Sequence, residues 1–74
     1  MGVREVINGL PKSVREKVEE FRGEYKRLGG DYSRYALGKR EEVRTRMAGY
    51  VLGLRDAGLI TERGRQIVFI YMTV

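Results

Sequence analysis

The sequence has no cysteine and no histidine, and it has only one proline, one asparagine and one glutamine. Without cysteine, the chain has no disulfide and offers no thiolate to a metal or a substrate. Without histidine, it lacks the commonest general base and the commonest metal ligand. We therefore expect no enzymatic activity, no catalytic residues, no metal site and no cofactor. Few thermolabile side chains beside abundant Arg and Glu are typical of hyperthermophiles, so we expect such a host.

The chain also lacks a long apolar segment. No stretch approaches 18 apolar residues, and the N-terminal sequence MGVREVING lacks the apolar core of a signal peptide. We therefore expect a cytoplasmic protein without a membrane partner, and no motif indicates a small-molecule ligand. The 74 residues suffice for one domain, and 15 basic against 10 acidic side chains give a net charge of +5. This modest excess is compatible with a polyanionic partner and equally with ordinary solubility.

Apolar residues at helical spacing predict two helices in the first part of the chain. One short stripe predicts a helix within an N-terminal extension, residues 1–10. Ser13 stands three residues before Glu16, the spacing of a capping box, which predicts that the second helix starts there. Gly29-Gly30 is expected to supply the left-handed residue that closes it. The expected core residues of these helices are Val3, Val6, Ile7 and Leu10, followed by Val14, Val18, Phe21, Tyr25 and Leu28.

Two further helices are predicted in the middle of the chain. Asp31 is interpreted as the N-cap of a short helix through Leu37. Gly38 then either breaks that helix or caps the long one that follows, which runs from about Lys39 to Ala57. If the short helix instead merges with the long one, the turn between them is lost. The expected core face of the long helix consists of Val43, Met47, Val51 and Leu54.

The sequence after the long helix predicts a tight turn followed by a β-hairpin. Gly58 is the expected left-handed residue, and Leu54 and Leu59 occupy the two positions that touch in a Schellman motif. Residues 59–62 predict a first strand, and the turn falls at ERGR. Residues 66–74 predict a second, longer strand, because QIVFIYMTV is rich in β-branched and aromatic side chains.

The segment 54–71, LRDAGLITERGRQIVFIY, resembles the recognition-helix end and the wing of winged helix-turn-helix DNA-binding domains. In that family, a glycine turn and a basic wing tip follow the reading helix at a similar separation. The resemblance implies a mainly α fold with a C-terminal β-hairpin, in one domain over residues 1–74. Its helices would occupy residues 13–57 and its wing residues 59–74. It also implies that the partner is double-stranded DNA.

The residue pattern of the long helix suits a position in the major groove. Such a helix needs one face that packs on the core and another that reaches base edges. Small residues let the backbone approach DNA, and arginines reach phosphates or guanine edges. We therefore expect a small, sequence-specific or semi-specific DNA-binding protein, a transcriptional regulator without effector sensing. The expected DNA contacts are Lys39, Arg40, Arg44, Thr45, Arg46 and Gly49 on the helix and Arg63 and Arg65 on the wing tip.

The second predicted strand carries apolar side chains on both faces, which invites pairing with another surface. We expect the second face to be covered either by a second copy of the chain or by the N-terminal helix around Ile7. The first possibility predicts a homodimer with Ile70, Met72 and Val74 in its interface.

An alternative function is a winged-helix protein–protein interaction module, or adaptor, because fold alone does not determine function. Leu52 lies on the nominally exposed side of the long helix, and the acidic pair Glu41-Glu42 would oppose DNA phosphates. The small residues Thr45, Gly49 and Gly53 recur at every fourth position, a spacing that suits a second helix.

Overall fold

The computed structural model describes residues 2–74, and over this range the chain forms four α-helices and no β-strand. The helices are α1 (Val3–Asn8), α2 (Lys12–Gly29), α3 (Arg34–Asp56) and α4 (Glu62–Thr73). The described part of the protein is therefore all-α. The expected fold, mainly α with a C-terminal β-hairpin in a winged helix-turn-helix, is wrong.

The largest correction concerns the wing, since residues 62–73 form helix α4. The helix begins after Thr61, whose hydroxyl oxygen accepts a hydrogen bond from the backbone N–H of Gly64 at 3.0 Å. Its buried residues Gly64, Val68 and Met72 follow one another at intervals of four, which is a helical rather than a strand period. Because α1, α2 and α3 all contact α4, apolar residues lie on several of its sides. A helix surrounded in this way loses its amphipathic pattern, and its short apolar run resembles a strand.

The second correction concerns the start of α3, which is one continuous helix of 23 residues. Its N-cap is Ser33, whose side chain accepts from the backbone N–H of Ala36 at 3.2 Å, and not Asp31. Ala36 is buried and anchors the first turn, so the helix continues through Gly38 without a break. The separate short helix over 31–37 and the helix start at Lys39 are therefore wrong, and no turn separates two helices here.

The end of α3 confirms the Schellman motif. Gly58 has a φ of 77°, in the left-handed region that favours glycine. The backbone N–H of Leu59 donates to the carbonyl of Leu54, and that of Gly58 donates to the carbonyl of Arg55, both at 3.0 Å. These are the two hydrogen bonds that define the motif, and they stop the helix after Asp56.

The predicted cap at the start of α2 is wrong, and so is the left-handed closure at its end, although the helix does end at Gly29-Gly30. The helix begins at Lys12, directly after Pro11, and no side chain caps it, so Ser13 lies inside the first turn and forms no capping box. Pro11 is the N-cap, and its carbonyl accepts a hydrogen bond from the backbone N–H of Arg15 at 2.9 Å. At the other end, Gly30 has a φ of −89°, so no left-handed residue closes the helix.

The core lies where α2, α3 and α4 pack on one another, and α1 packs against α4. The predicted core faces of α2 and α3 are confirmed, except that Leu28 is only partly buried. Helices α2 and α3 run antiparallel, since Phe21 contacts Tyr50 and Glu24 contacts Arg46. Because α3 spans about 34 Å of a molecule 37 Å long, the α2–α3 and α3–α4 connections lie at opposite ends. The core side chains are Ile7, Leu10, Val14, Val18, Phe21, Tyr25, Val43, Met47, Val51, Leu54, Val68 and Met72.

Candidate nucleic-acid interface

The predicted DNA contacts do not form one surface. Lys39 and Arg40 lie near the start of α3, whereas Arg65 lies in the first turn of α4. Arg65 pairs with Glu62, which also pairs with Arg55 near the end of α3. Fifteen residues of helix separate Arg40 from Arg55, which corresponds to about 22 Å along α3. The basic tip is therefore not beside the first turns of the predicted reading helix, as a wing would be.

Arg65 takes part in an ionic cluster that joins α3 to α4. Glu62 accepts hydrogen bonds from Arg65 Nε at 2.8 Å and from Arg55 Nη1 at 2.6 Å. The hydrogen bonds from Arg65, and then those from Arg55, lower the pKa of Glu62 to about 2. The same hydrogen bond raises the pKa of Arg65. Arg63 is exposed and has no ion pair within residues 2–74.

Three of the predicted bases on α3 face carboxylates. Lys39 lies 3.6 Å from Glu42, Arg44 lies 4.0 Å from Glu41, and Arg46 bonds to a carboxylate of α2 at 3.2 Å. Exposed pairs of this kind contribute roughly 0–1 kcal/mol each, so they hold the arginines only loosely. They do balance the local charge, which leaves this stretch of α3 a poor site for phosphate.

Two small residues that were predicted to contact DNA, Thr45 and Gly49, lie on the exposed side of α3. The Thr45 hydroxyl donates to the carbonyl of Glu41 at 3.0 Å, so its donor is used within the helix. Gly49 is exposed, and a Cβ built there or at Gly53 has nothing within 4 Å. No described helix is seated on these small residues, and Leu52 beside them is also exposed.

Arg40 is held differently from the other predicted bases. Its guanidinium lies over the ring of Tyr25, 4.6 Å from the centroid, and its Nη2 is 3.9 Å from a Cβ built on Gly29. Its Nε is buried and has no hydrogen-bond partner among the described residues. Stacking on an aromatic ring orients a guanidinium without neutralising it. Arg40 is therefore a positioned cation next to the C-terminal end of α2.

Most of the net charge falls in residues 26–40, which we call the basic end, although Glu41 and Glu42 follow directly and Glu42 pairs with Lys39. These residues carry five bases and one acid, a net charge of +4 out of the total of +5. Residues 1–25 are neutral overall, with five bases and five acids, and residues 41–74 carry +1. The basic end comprises the last turn of α2, the connection and the first turns of α3. Its charged residues are Lys26, Arg27, Asp31, Arg34, Lys39 and Arg40.

The sequence reasoning missed three of these cations, Lys26, Arg27 and Arg34. On a helical wheel they look like an ordinary solvated face, and they lie outside the predicted reading helix. A running count of net charge along the chain was the signal that would have found them. The antiparallel packing of α2 and α3 then brings the two helix ends together.

Two tyrosines at the basic end point into solvent. Tyr32 is 81% exposed and Tyr35 is 77% exposed, and they flank Ser33 and Arg34. Asp31 accepts a hydrogen bond from the backbone N–H of Ser33 at 2.9 Å, across Tyr32.

The predicted dimer interface is partly wrong. Met72 is completely buried in the monomer core, so it cannot contact a second copy. Ile70 is 54% exposed and Val74 is 78% exposed, and Val3 on α1 is also largely exposed. The strand with two apolar faces does not exist, and α1 covers one side of α4 instead, which was the other possibility. The homodimer itself stays a prediction.

Comparisons with protein-family models, curated proteins and solved structures found no match to this chain. The winged-helix resemblance therefore rests on the quoted segment alone. Within residues 2–74, no helix combines the length and the apolar character needed to cross a membrane. The same residues contain no group of three or more ligating side chains that could hold a metal ion.

Proposed function

We propose that the protein binds double-stranded DNA through the basic end, mainly by contacts to phosphates. The observation that carries this proposal is the concentration of +4 of the +5 net charge in residues 26–40. Lys and Arg that neutralise phosphates release counterions from DNA, and this release drives binding that is largely independent of sequence. The planar guanidinium groups of Arg27, Arg34 and Arg40 also match the geometry of phosphate oxygens.

The balanced charges on the middle of α3 favour semi-specific over strictly sequence-specific binding. Glu41 and Glu42 lie beside the bases that would approach the groove, and these carboxylates would repel phosphates. A role as a transcriptional regulator without effector sensing is part of the proposal. The cytoplasmic location and the homodimer stay predictions.

A titration at two salt concentrations tests the proposal. If three cations of the basic end contact phosphates, the affinity for random duplex DNA falls about 40-fold between 50 and 200 mM salt. We expect the double variant Arg27→Ala/Arg34→Ala to bind more weakly, with a salt slope smaller by about 2. The matched control is Arg4→Ala/Arg63→Ala, which removes the same charge from two exposed positions on α1 and α4.

The control variant decides where the interface lies. Under the proposal, its salt slope equals that of the parent protein, because its cations are not at the basic end. If only the control variant loses affinity for DNA, the interface lies on α1 and α4 instead. Binding that does not depend on salt would contradict the proposal altogether. Circular dichroism of each variant verifies that the helices are retained.

A protein–protein interaction module is the second candidate, favoured by exposed apolar side chains around α1 and α4. Val3, Leu59, Ile70 and Val74 are largely exposed, and a groove of about 520 Å³ between the two helices is lined partly by Ile60 and Ile67. Exposed apolar groups that cluster in this way often mark contacts with other proteins. Salt-independent association with another protein and no binding to DNA would favour this candidate.

A further inference from the structure

We propose that the basic end also binds unpaired bases, with Tyr32 and Tyr35 as stacking platforms for single-stranded nucleic acid. The inference rests on the proposed function, because it adds a base-binding element to the phosphate-binding surface. It goes beyond that function in naming nucleic acid with accessible base faces as a second class of ligand.

The first observation is that these two rings play no part in the fold. Tyr32 and Tyr35 are the most exposed of the aromatic side chains. Neither hydroxyl has a hydrogen bond to a described residue, whereas the Tyr71 hydroxyl donates to Glu19. The remaining tyrosines are also packed, since Tyr25 is buried and Tyr50 lies against Phe21 at 5.6 Å between ring centroids. Burial in the core therefore explains three of the five tyrosines, but not these two.

The second observation is the charge that surrounds the rings. Arg34 lies between them in sequence, Arg27 lies in the last turn of α2, and Lys39 follows one turn further along α3. A single strand alternates phosphates with bases, so a site for it needs cations and flat apolar surfaces close together. In residues 26–40, the basic end supplies both kinds of group.

The third observation is that local hydrogen bonds hold the backbone beside both rings. Ser33 caps α3, with a 3.2 Å hydrogen bond from the N–H of Ala36, and Asp31 holds the N–H of Ser33. Tyr35 lies in the first turn of the helix, and Tyr32 precedes the cap. Ordering of the backbone lowers the entropy lost when a base stacks on a ring.

Stacking of this kind tolerates any sequence, because every base has a π face. Bases in the interior of an intact duplex are stacked on both sides and have no free face to offer. The two ligand classes are therefore expected to differ in their dependence on the tyrosines: the single strand uses cations and rings, and the duplex uses cations.

The test compares a labelled 12-nucleotide single strand with a blunt 12-base-pair duplex at one salt concentration, by fluorescence anisotropy. We expect Tyr32→Ala and Tyr35→Ala each to weaken single-strand binding by about 5-fold to 150-fold. Duplex affinity should change less than about twofold. Tyr32→Phe and Tyr35→Phe keep the ring and should bind the single strand as the parent does.

Leu37→Ala is the matched control, since Leu37 is a partly exposed apolar residue of the same helix turns. It should leave both affinities unchanged, because an aliphatic side chain provides no stacking surface. Both rings are exposed, so their removal should not unfold the protein. Circular dichroism of the alanine variants checks this directly.

The outcomes separate the two proposals. If the alanine variants bind the single strand as tightly as the parent, the stacking inference is wrong while duplex binding stands. If they weaken both ligands equally, the tyrosines contact the backbone, and the stacking inference is again wrong. If Arg27→Ala/Arg34→Ala affects neither ligand, the basic end is not the interface and both proposals fail.

Discussion

Two alanine substitutions in α4 distinguish the helix from the hairpin that the sequence predicts. On a strand, Val68 and Ile70 would point to the same face and lose similar contacts when truncated. On α4, Val68 is completely buried and Ile70 is 54% exposed. We therefore expect Val68→Ala to destabilise the protein strongly and Ile70→Ala to have little effect.

The expected cost of Val68→Ala follows from its burial. Two buried methyl groups contribute about 1.6 kcal/mol, and an unfilled cavity adds about 1 kcal/mol. The better helix propensity of alanine recovers about 0.5 kcal/mol, which leaves a net loss of about 2 kcal/mol. For a domain of this size, that loss lowers the melting temperature by roughly 8–16 °C. The half-exposed Ile70 should cost about 0.5 kcal/mol after the same correction.

Thermal unfolding followed by circular dichroism measures both changes. The experiment is repeated at two protein concentrations, because a contribution of Ile70 to a homodimer would make its midpoint depend on concentration. Equal, large losses for both variants at every concentration would contradict the helical assignment of α4. A concentration-dependent midpoint in the parent protein that Ile70→Ala abolishes would support the homodimer.

Two further predictions concern the ends of α3 and α4. Gly58→Ala should destabilise the protein by about 1–2 kcal/mol in thermal unfolding, because Gly58 has a left-handed backbone conformation. Gly53→Ala lies inside α3 and should stabilise the protein by about 1 kcal/mol. A Cβ has nothing within 4 Å at either site, so a neutral Gly58→Ala would contradict the strain explanation. Glu62→Gln should lower the melting temperature near pH 7. Because the folded pKa of Glu62 is about 2, below the ordinary 4.5, its stabilisation is present above pH 4.5 and lost as the pH falls toward 2. The difference between parent and variant should shrink over that range, and a constant difference would refute this linkage.

The site was only partly predictable from the sequence. The assignment of Arg40 as a DNA contact stays a prediction, and its stacking on Tyr25 depends on the packing of α2 on α3. Arg65 was expected to contact DNA, and its pairing with Glu62 was missed. That pair lies three residues apart, which is contact distance on a helix, so the error followed directly from the strand assignment.

Local sequence alone determined the features that depend on neighbouring residues. The apolar stripes of α2 and α3 define their buried faces because each helix packs on one side, and Gly58 stops α3 through hydrogen bonds within six residues. Only the tertiary structure decided the state of residues 62–73. Their β-branched and aromatic composition favours a strand, but an isolated hairpin is only marginally stable. Contacts with three other helices bury Val68 and Met72, while the backbone hydrogen bonds of α4 are made within the helix itself. This burial outweighs the intrinsic preference of these residues for a strand.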